Sequence, residues 1–288
     1  MAKQFETAIR GYIDKMPSLP TSVAKILEIC NSPQTSPVDL NRVISVDPVL
    51  MGKVMKLINS AYYGLDQEIT SLVRAIIMLG INTVKNLALS TAVLGTVGKT
   101  ESKALNMEGF WRHSLCVAVT SKLIGLHRKV DKNEIEEFFI AGLLHDLGKI
   151  PLNNRLPEQY VDILGFSDRD RQSLHQVESE VLGLDHGDVG LMIMETWGLS
   201  QQIRDAVSFH HRVADYQGDY KDIVYAVSLA NYFAAEAAIG FSGNRFPDPV
   251  PPVVSEFLGI DISFLEDEME EKVNGEIERA SVFLRLSA

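Results

Sequence analysis

An all-α fold is what this 288-residue sequence predicts, and three observations predict it. Segment after segment repeats apolar residues every three or four positions, the spacing that lines one face of a helix. Pro and Gly separate those segments at places where helices start and stop. Alternating runs of β-branched and aromatic residues, the mark of strands, are scarce.

The start, MAKQFETAIRGYIDKMP, mixes charges into every turn, which the apolar stretch of a signal peptide would not. In LPTSVAKILEICNSP, Val23, Ile26, Leu27 and Cys30 fall on one helical face, with Thr21 or Ser22 as the cap and Pro33 closing the helix. SPVDLNRVISVDPVLMGKVMKLINSAYYG reads as two short helices, the second opening at Asp47-Pro48 with Pro in the first helical position. SLVRAIIMLG and INTVKNLALSTAVLG form a pair joined at Gly80. Together these make a first helical lobe, residues 1–105, without a histidine. A second lobe, residues 106–240, carries all seven histidines and ends in the helix DIVYAVSLANYFAAEA. GFSGNRFPDPVPPVV is a loop by composition. Ser263 and Glu266 are expected as a capping box for an acidic final helix through Arg285, so that residues 241–288 pack on the second lobe. Neither an internal repeat nor a low-complexity tract is present.

Composition bounds the function. Apolar residues make up 46% and charged residues 23%, as in an ordered globular protein. With 38 acidic against 27 basic residues the net charge is -11, which disfavours duplex nucleic acid but permits a local basic pocket for one small phosphate ligand. Cys30 and Cys116 lack any zinc or disulfide pattern and read as reduced thiols, implying a cytosolic protein. No segment reaches the roughly 18 unbroken apolar residues of a membrane span, so no membrane partner is expected.

The histidines are the chemical signal. His113 lies in FWRHSL, His145 beside Asp146 in HDLGK, His186 in GLDHGDVG, and His210-His211 in VSFHHR; His127 and His175 are the least patterned. Imidazole and carboxylate are the ligand set of divalent transition metals. Two adjacent buried polar groups at a helix end, such as His145-Asp146, are costly unless something pairs with them. Each histidine alone reads more simply as a hydrogen-bonded residue, and spacing leaves both alternatives open.

The order H…HD…H…HH resembles the HD superfamily of metal-dependent phosphohydrolases. MPSLPTSVAKILEICNSP, VISVDPVLMGKVMKLINSAYYG and SLVRAIIMLGINTVKNLAL resemble the HDOD family, an HD-related output domain of bacterial signalling proteins. The resemblance implies an HD-like helical bundle with an additional N-terminal helical lobe. It also implies metal ligands at His113, His145, Asp146, His186, His210 and His211, with Asp146 bridging two ions, as in the HD-GYP cyclic-dinucleotide phosphodiesterases. Iron, manganese, nickel and zinc all suit such a site. The sequence departs from that pattern where Asn231 replaces a closing Asp, Gly109 replaces a Glu, and the Gly-Tyr-Pro signature is missing. Asp146 and Lys149 are the candidate catalytic residues. Lys149 reads either as a donor to a phosphate oxygen or as a lysine at a helix C-terminus, and Asp188 as an orienter of His186 or a helix-start charge.

Three functions are compatible with these residues. The favoured one is a regulatory signalling module that binds a partner protein or a small phosphate or nucleotide ligand without rapid turnover. The alternatives are an active phosphodiesterase and a purely structural interaction domain. Trp111 and Trp197 read as core, the run EDEMEEK as a solvated face, and Asn59 and Ser60 as a helix-to-turn cap. Tyr62 and Tyr63 beside Gly64 are expected on an exposed turn suited to a protein interface.

Overall fold

The computed structural model describes residues 2–97 and 104–285, and among them no strand occurs. The first helix, α1 (Ala2–Ile13), is followed by α2 (Thr21–Cys30), α3 (Pro37–Ile44), α4 (Pro48–Ile58), α5 (Leu72–Leu79) and α6 (Ile81–Val97). Local chemistry sets several of their starts. Ser36 and Asp39 form a capping box on α3, and Asp47 accepts from the Leu50 amide to cap α4, each ahead of a proline in the first turn. The start of α2 differs from expectation: Pro20 precedes it, Thr21 is already helical, and no side chain caps it. Ser22 is otherwise engaged, its hydroxyl donating to Asp47 Oδ2 at 2.9 Å and tying α2 to the start of α4. Val23 and Ile26 are buried, but Leu27 and Cys30 only partly, because the buried face is narrower than the apolar stripe.

Gly80, at φ 91°, makes the turn between α5 and α6 that a side chain would strain, and the two helices bend by 115° there. Among the described residues, no single helix is long and apolar enough to cross a membrane; α5 and α6 together pass that test only as a bent pair, and α6 is buried along most of its length.

The second half contains α7 (Met107–His127), α8 (Ile135–Leu144), α9 (Lys149–Arg155), α10 (Pro157–Asp170), α11 (Leu174–Leu182), α12 (His186–Thr196), α13 (Gln201–Phe209) and α14 (Lys221–Glu236). α7 and α8 pack most closely of all, at Gly142, where a built Cβ would lie 2.6 Å from Ala118 Cα. α1 packs on α9, α11 and α12, with Tyr12 accepting from Asn154 Nδ2 at 3.2 Å. It thus joins the histidine-bearing half.

α15 (Pro252–Leu258), α16 (Ile262–Phe264), a π-helical stretch Leu265–Met269 and α17 (Glu270–Arg285) close the chain, α17 lying against α7 and α6. The expected Ser263–Glu266 capping box is not formed. Asp261, in extended conformation, accepts from the Phe264 amide at 2.9 Å, and the wider π turn delays α17 to Glu270.

The halves are joined by polar and aromatic contacts. Glu137 Oε1 accepts from Lys85 on α6 at 3.1 Å, while its Oε2 accepts from Ser200 at 2.7 Å and Gln202 at 2.6 Å. Tyr62 packs its ring against Phe139 and Phe283, and the Tyr63 hydroxyl is buried without a partner. The two tyrosines are therefore half-buried at the joint between halves, Tyr62 packing across it and Tyr63 edge-on to Tyr62, and both still border a surface cavity. Asn59 pins the connecting loop by a two-way bond to the Ile69 backbone, at 2.9 and 2.8 Å, and Ser60 bonds Leu57 O. Trp111 and Trp197 are buried, as expected of core residues.

Candidate metal centre

Five helices converge on one buried point. His113 lies in the middle of α7, His145 and Asp146 stand just past the end of α8, and His186 opens α12. His210 and His211 follow α13, and Asn231 belongs to α14. Two glycines permit the approach. Gly142 lets α8 meet α7, bringing the His113 and His145 rings within 5.4 Å, and a Cβ on Gly148 would lie only 2.0 Å from the His186 carbonyl. Hence α12 rests directly on the turn after Asp146.

All seven residues expected at the site are gathered there. One ligand atom each from Asp146, His186, His210 and His211 lies within 4.8 Å of the others, and the same holds for His113, His145 and Asp146. Asp146, fully buried, belongs to both groups. Its Oδ2 is 3.3 Å from His145 Nε2 and 3.7 Å from His113 Nε2; its Oδ1 is 3.2 Å from His186 Nε2 and 3.8 Å from His210 Nε2.

The second ring nitrogens decide what these contacts are. His145 Nδ1 faces the Gly142 carbonyl and His210 Nδ1 the Val207 carbonyl, both at 2.7 Å. A carbonyl only accepts, so each Nδ1 carries a proton, and in the neutral ring each Nε2 turns a lone pair inward. His186 Nδ1 likewise donates to Glu178 Oε2 at 2.6 Å. In their neutral form the His145 and His210 rings thus aim lone pairs at a carboxylate, acceptor against acceptor. His145 Nε2 and His211 Nε2 have no hydrogen-bond partner although buried, and Asp146 Oδ1 has only the approach of His186 Nε2 at 3.2 Å, an expensive arrangement without a cation.

Protonation relieves little of this. Burial, together with the neighbouring His145 and His186 rings, keeps His210 well below its usual range, and burial takes His113 down to about 3. His211 is depressed in the same way by burial and by His210 and His175. Burial opposes charge on His186 too, but Glu178 and the bonds to Asp146 and Glu178 lift it to about 9. One proton can therefore serve the His186–Asp146 contact. Asp146 itself, despite burial, is held well below the carboxylate range by His145 and Lys149. A charged Asp146 with neutral His113, His210 and His211 is the state that divalent cations require, and His186 has to release its inward proton when it binds one.

The sequence profile of the HDOD domain matches residues 16–213. This chain belongs to the HDOD domain family. An uncharacterized protein of Treponema pallidum (strain Nichols) is 23% identical over 225 residues, covering 78% of this chain and 43% of that relative, so the chain spans less than half the relative's length. A solved HDOD domain protein of unknown function from Geobacter sulfurreducens is 24% identical, with TM-score 0.77 and 98% of each chain covered. A Shewanella amazonensis protein named "Putative phosphohydrolase" is 21% identical, with TM-score 0.74 and the same coverage. At such identities the structures establish the shared fold.

Within this HDOD domain, Lys149 opens α9 instead of ending a helix, so the helix C-terminus reading is wrong. Its side chain is 1% exposed and donates to Asp146 Oδ2 at 2.7 Å and Ser242 Oγ at 3.2 Å. Asn231 Oδ1 lies 2.9 Å from His113 Nε2, where it can serve one cation as a neutral oxygen. Asp188 does not touch the His186 ring. It completes a capping box with Asp185 and receives Arg212 at 2.8 Å.

Glu178 orients His186 in its place. Fully buried on α11, it accepts from the His186 ring, from the His186 amide at 2.9 Å and from the Tyr160 hydroxyl at 2.7 Å. The sequence hid it as one of several glutamates in an amphipathic helix, and only its place eight residues before His186 hinted at two helical elements folding back. His175 was also passed over; its ring stacks on His211 at 4.4 Å.

Proposed function

We propose that this HDOD domain is a regulatory module of a signalling system that holds divalent transition-metal ions between its helices and uses them to recognise a small phosphate or nucleotide ligand, or a partner protein, without rapid turnover. The observation that carries the metal is the convergence of imidazole lone pairs on the buried Asp146 carboxylate. His113, His145, Asp146 and Asn231 would hold one ion; Asp146, His186, His210 and His211 would hold the other. Iron, manganese, nickel and zinc all accept that donor set. Such ions supply positive charge for phosphate oxygens and acidify water toward a pKa of about 7.

The chain's own residues favour binding over turnover. Asn231 contributes no negative charge to the His113 position, so the donor set there is weaker than one closed by a carboxylate. Lys149 is the group that can reach a phosphate oxygen, yet it is committed to Asp146 and Ser242. The test combines elemental analysis of metal-replete protein with hydrolysis of bis(p-nitrophenyl) phosphate. Bound metal with turnover far below the ~10 per second of a median enzyme supports the reading. Turnover near that figure would make the protein a working phosphohydrolase, and absence of metal would leave only an interaction domain.

A further inference from the structure

The segment between α14 and α15 lies against the metal centre, bordering a small cavity beside His210, His211 and Asn231. It runs from Gly240 to Pro251 as a strap without helix. Its first residues are pressed onto α7: the Phe241 amide donates to Gly109 O at 2.9 Å, and a Cβ on Gly240 would lie 2.3 Å from the His113 amide nitrogen. Ser242, 4% exposed, then reaches inward to Lys149 Nζ. Asn244 Oδ1 accepts from the Leu174 amide at 3.2 Å, and Asp248 Oδ2 accepts from Ser173 at 2.7 Å and Gln176 at 2.9 Å. Pro247, Pro249 and Pro251 border the cavity beside His210, His211 and Asn231, whose free volume is about 30 Å³. That is room for a water or two, and too little for a phosphoester.

The way the strap is fastened sets it apart from core. Its apolar anchors are Ile239 and Val254, and no large apolar side chain between them is buried. Polar bonds fasten its rim, while Gly243 lies against the Leu105, Leu164 and Leu174 side chains and Val250 packs partly against the core; with no large apolar anchor of its own, such a segment can open locally below the cost of global unfolding.

Resting on the metal-site reading above, we propose that the Gly240–Pro251 strap is an autoinhibitory cover in which the Ser242 hydroxyl occupies the place of a ligand phosphate oxygen on Lys149, so that a phosphate-bearing ligand enters only by displacing the strap. Ser242 suits the part: its hydroxyl oxygen accepts from the ammonium as a phosphate oxygen would, without bringing a charge. The prolines keep the covering stretch extended and give it few backbone donors. Asp248 and Asn244 act as latches, and neither is a metal ligand.

The experiment uses the full chain loaded with Mn²⁺ and a double variant, Asn244→Ala with Asp248→Ala. Metal content at equilibrium should match wild type, while the rate at which a chelator removes Mn²⁺ should rise roughly tenfold, as expected when hydrogen bonds to a charged group are lost at a partly exposed site. In wild type, inorganic phosphate should speed tryptic cleavage after Arg245 several-fold when Mn²⁺ is bound. An unchanged chelation rate in a variant with a native circular-dichroism spectrum overturns the proposal. Should the variant not fold, the wild-type measurement decides: cleavage that phosphate leaves unchanged overturns it equally. A wild-type protein that takes up no Mn²⁺ refutes the metal-site reading itself, an outcome separate from both.

Discussion

Replacing Glu178 by Gln isolates one charge without removing atoms. The carboxylate receives three hydrogen bonds, at 2.6, 2.9 and 2.7 Å, from the His186 ring, the His186 amide and Tyr160. A glutamine oxygen can keep the two from His186, and its amide can donate to the Tyr160 oxygen, at the cost of the acceptor that the Tyr160 hydroxyl now uses. What disappears is the negative charge that makes the imidazole a stronger donor and fixes its tautomer. Residues in this position behind a metal-ligating histidine are worth about 10–100-fold in metal affinity, or about 1.4–2.8 kcal/mol. Competition against a chromogenic chelator, at constant pH and with Mn²⁺ or Zn²⁺, measures this directly. Asp188→Asn is the control: its side chain meets Arg212 and a helix start, so affinity should stay within about twofold while stability falls by no more than ~1 kcal/mol, the worth of a partly exposed ion pair. If Glu178→Gln binds metal as wild type does, or if Asp188→Asn loses as much, the assignment of Glu178 is refuted.

Asn231→Asp should tighten metal binding at least tenfold, since a charged oxygen replaces a neutral one beside His113; isothermal titration giving weaker binding would contradict this. Gly148→Ala forces a Cβ against the backbone of α12, 2.0 Å from the His186 carbonyl and 2.6 Å from the Gly190 nitrogen. It should cost about 1–3 kcal/mol or more in urea denaturation, and a neutral result would mean that α12 does not rest on the Asp146 turn. Asp47→Ala should cost ~1 kcal/mol through the lost cap of α4. Because the Leu50 amide and the Ser22 hydroxyl lower the Asp47 pKa in the fold, that contribution is present above the ordinary value of 3.8 and fades as pH falls below it. A difference from wild type that stays constant through that range would argue against the cap.

The helices were legible where local chemistry alone sets them. Asp47-Pro48 and Gly80 mark an opening and a turn whatever surrounds them, and the all-α class follows from periodicity. The start of α2 misled because Thr21 and Ser22 are both good caps by type, and only the distant Asp47 settles which bond Ser22 makes. Ser263 and Glu266 misled similarly, since Asp261, two residues earlier, starts the helix first by taking the Phe264 amide. At the metal centre, the histidines announced themselves by pairing and order. Glu178 did not, because a glutamate buried behind a histidine looks in sequence like one facing water. Nor did composition tell that GFSGNRFPDPVPPVV lies beside the site: it identifies a loop and says nothing of where the loop lies. Tyr62 and Tyr63 read as exposed because Gly64 ends their turn, while the rings that half-bury Tyr62 come from α8 and α17, far along the chain.

The central claim is that Asp146 joins two clusters of imidazoles around divalent cations. Metal-replete expression with manganese, followed by elemental analysis and electron paramagnetic resonance of wild type and Asp146→Ala, tests it most directly. The account predicts ions bound in wild type with the magnetic coupling of a carboxylate-bridged pair, and loss of that coupling with most of the metal in the variant. Less than about a tenth of an ion per chain in a folded wild-type protein, set against the near-stoichiometric occupancy expected of structural sites, would contradict it.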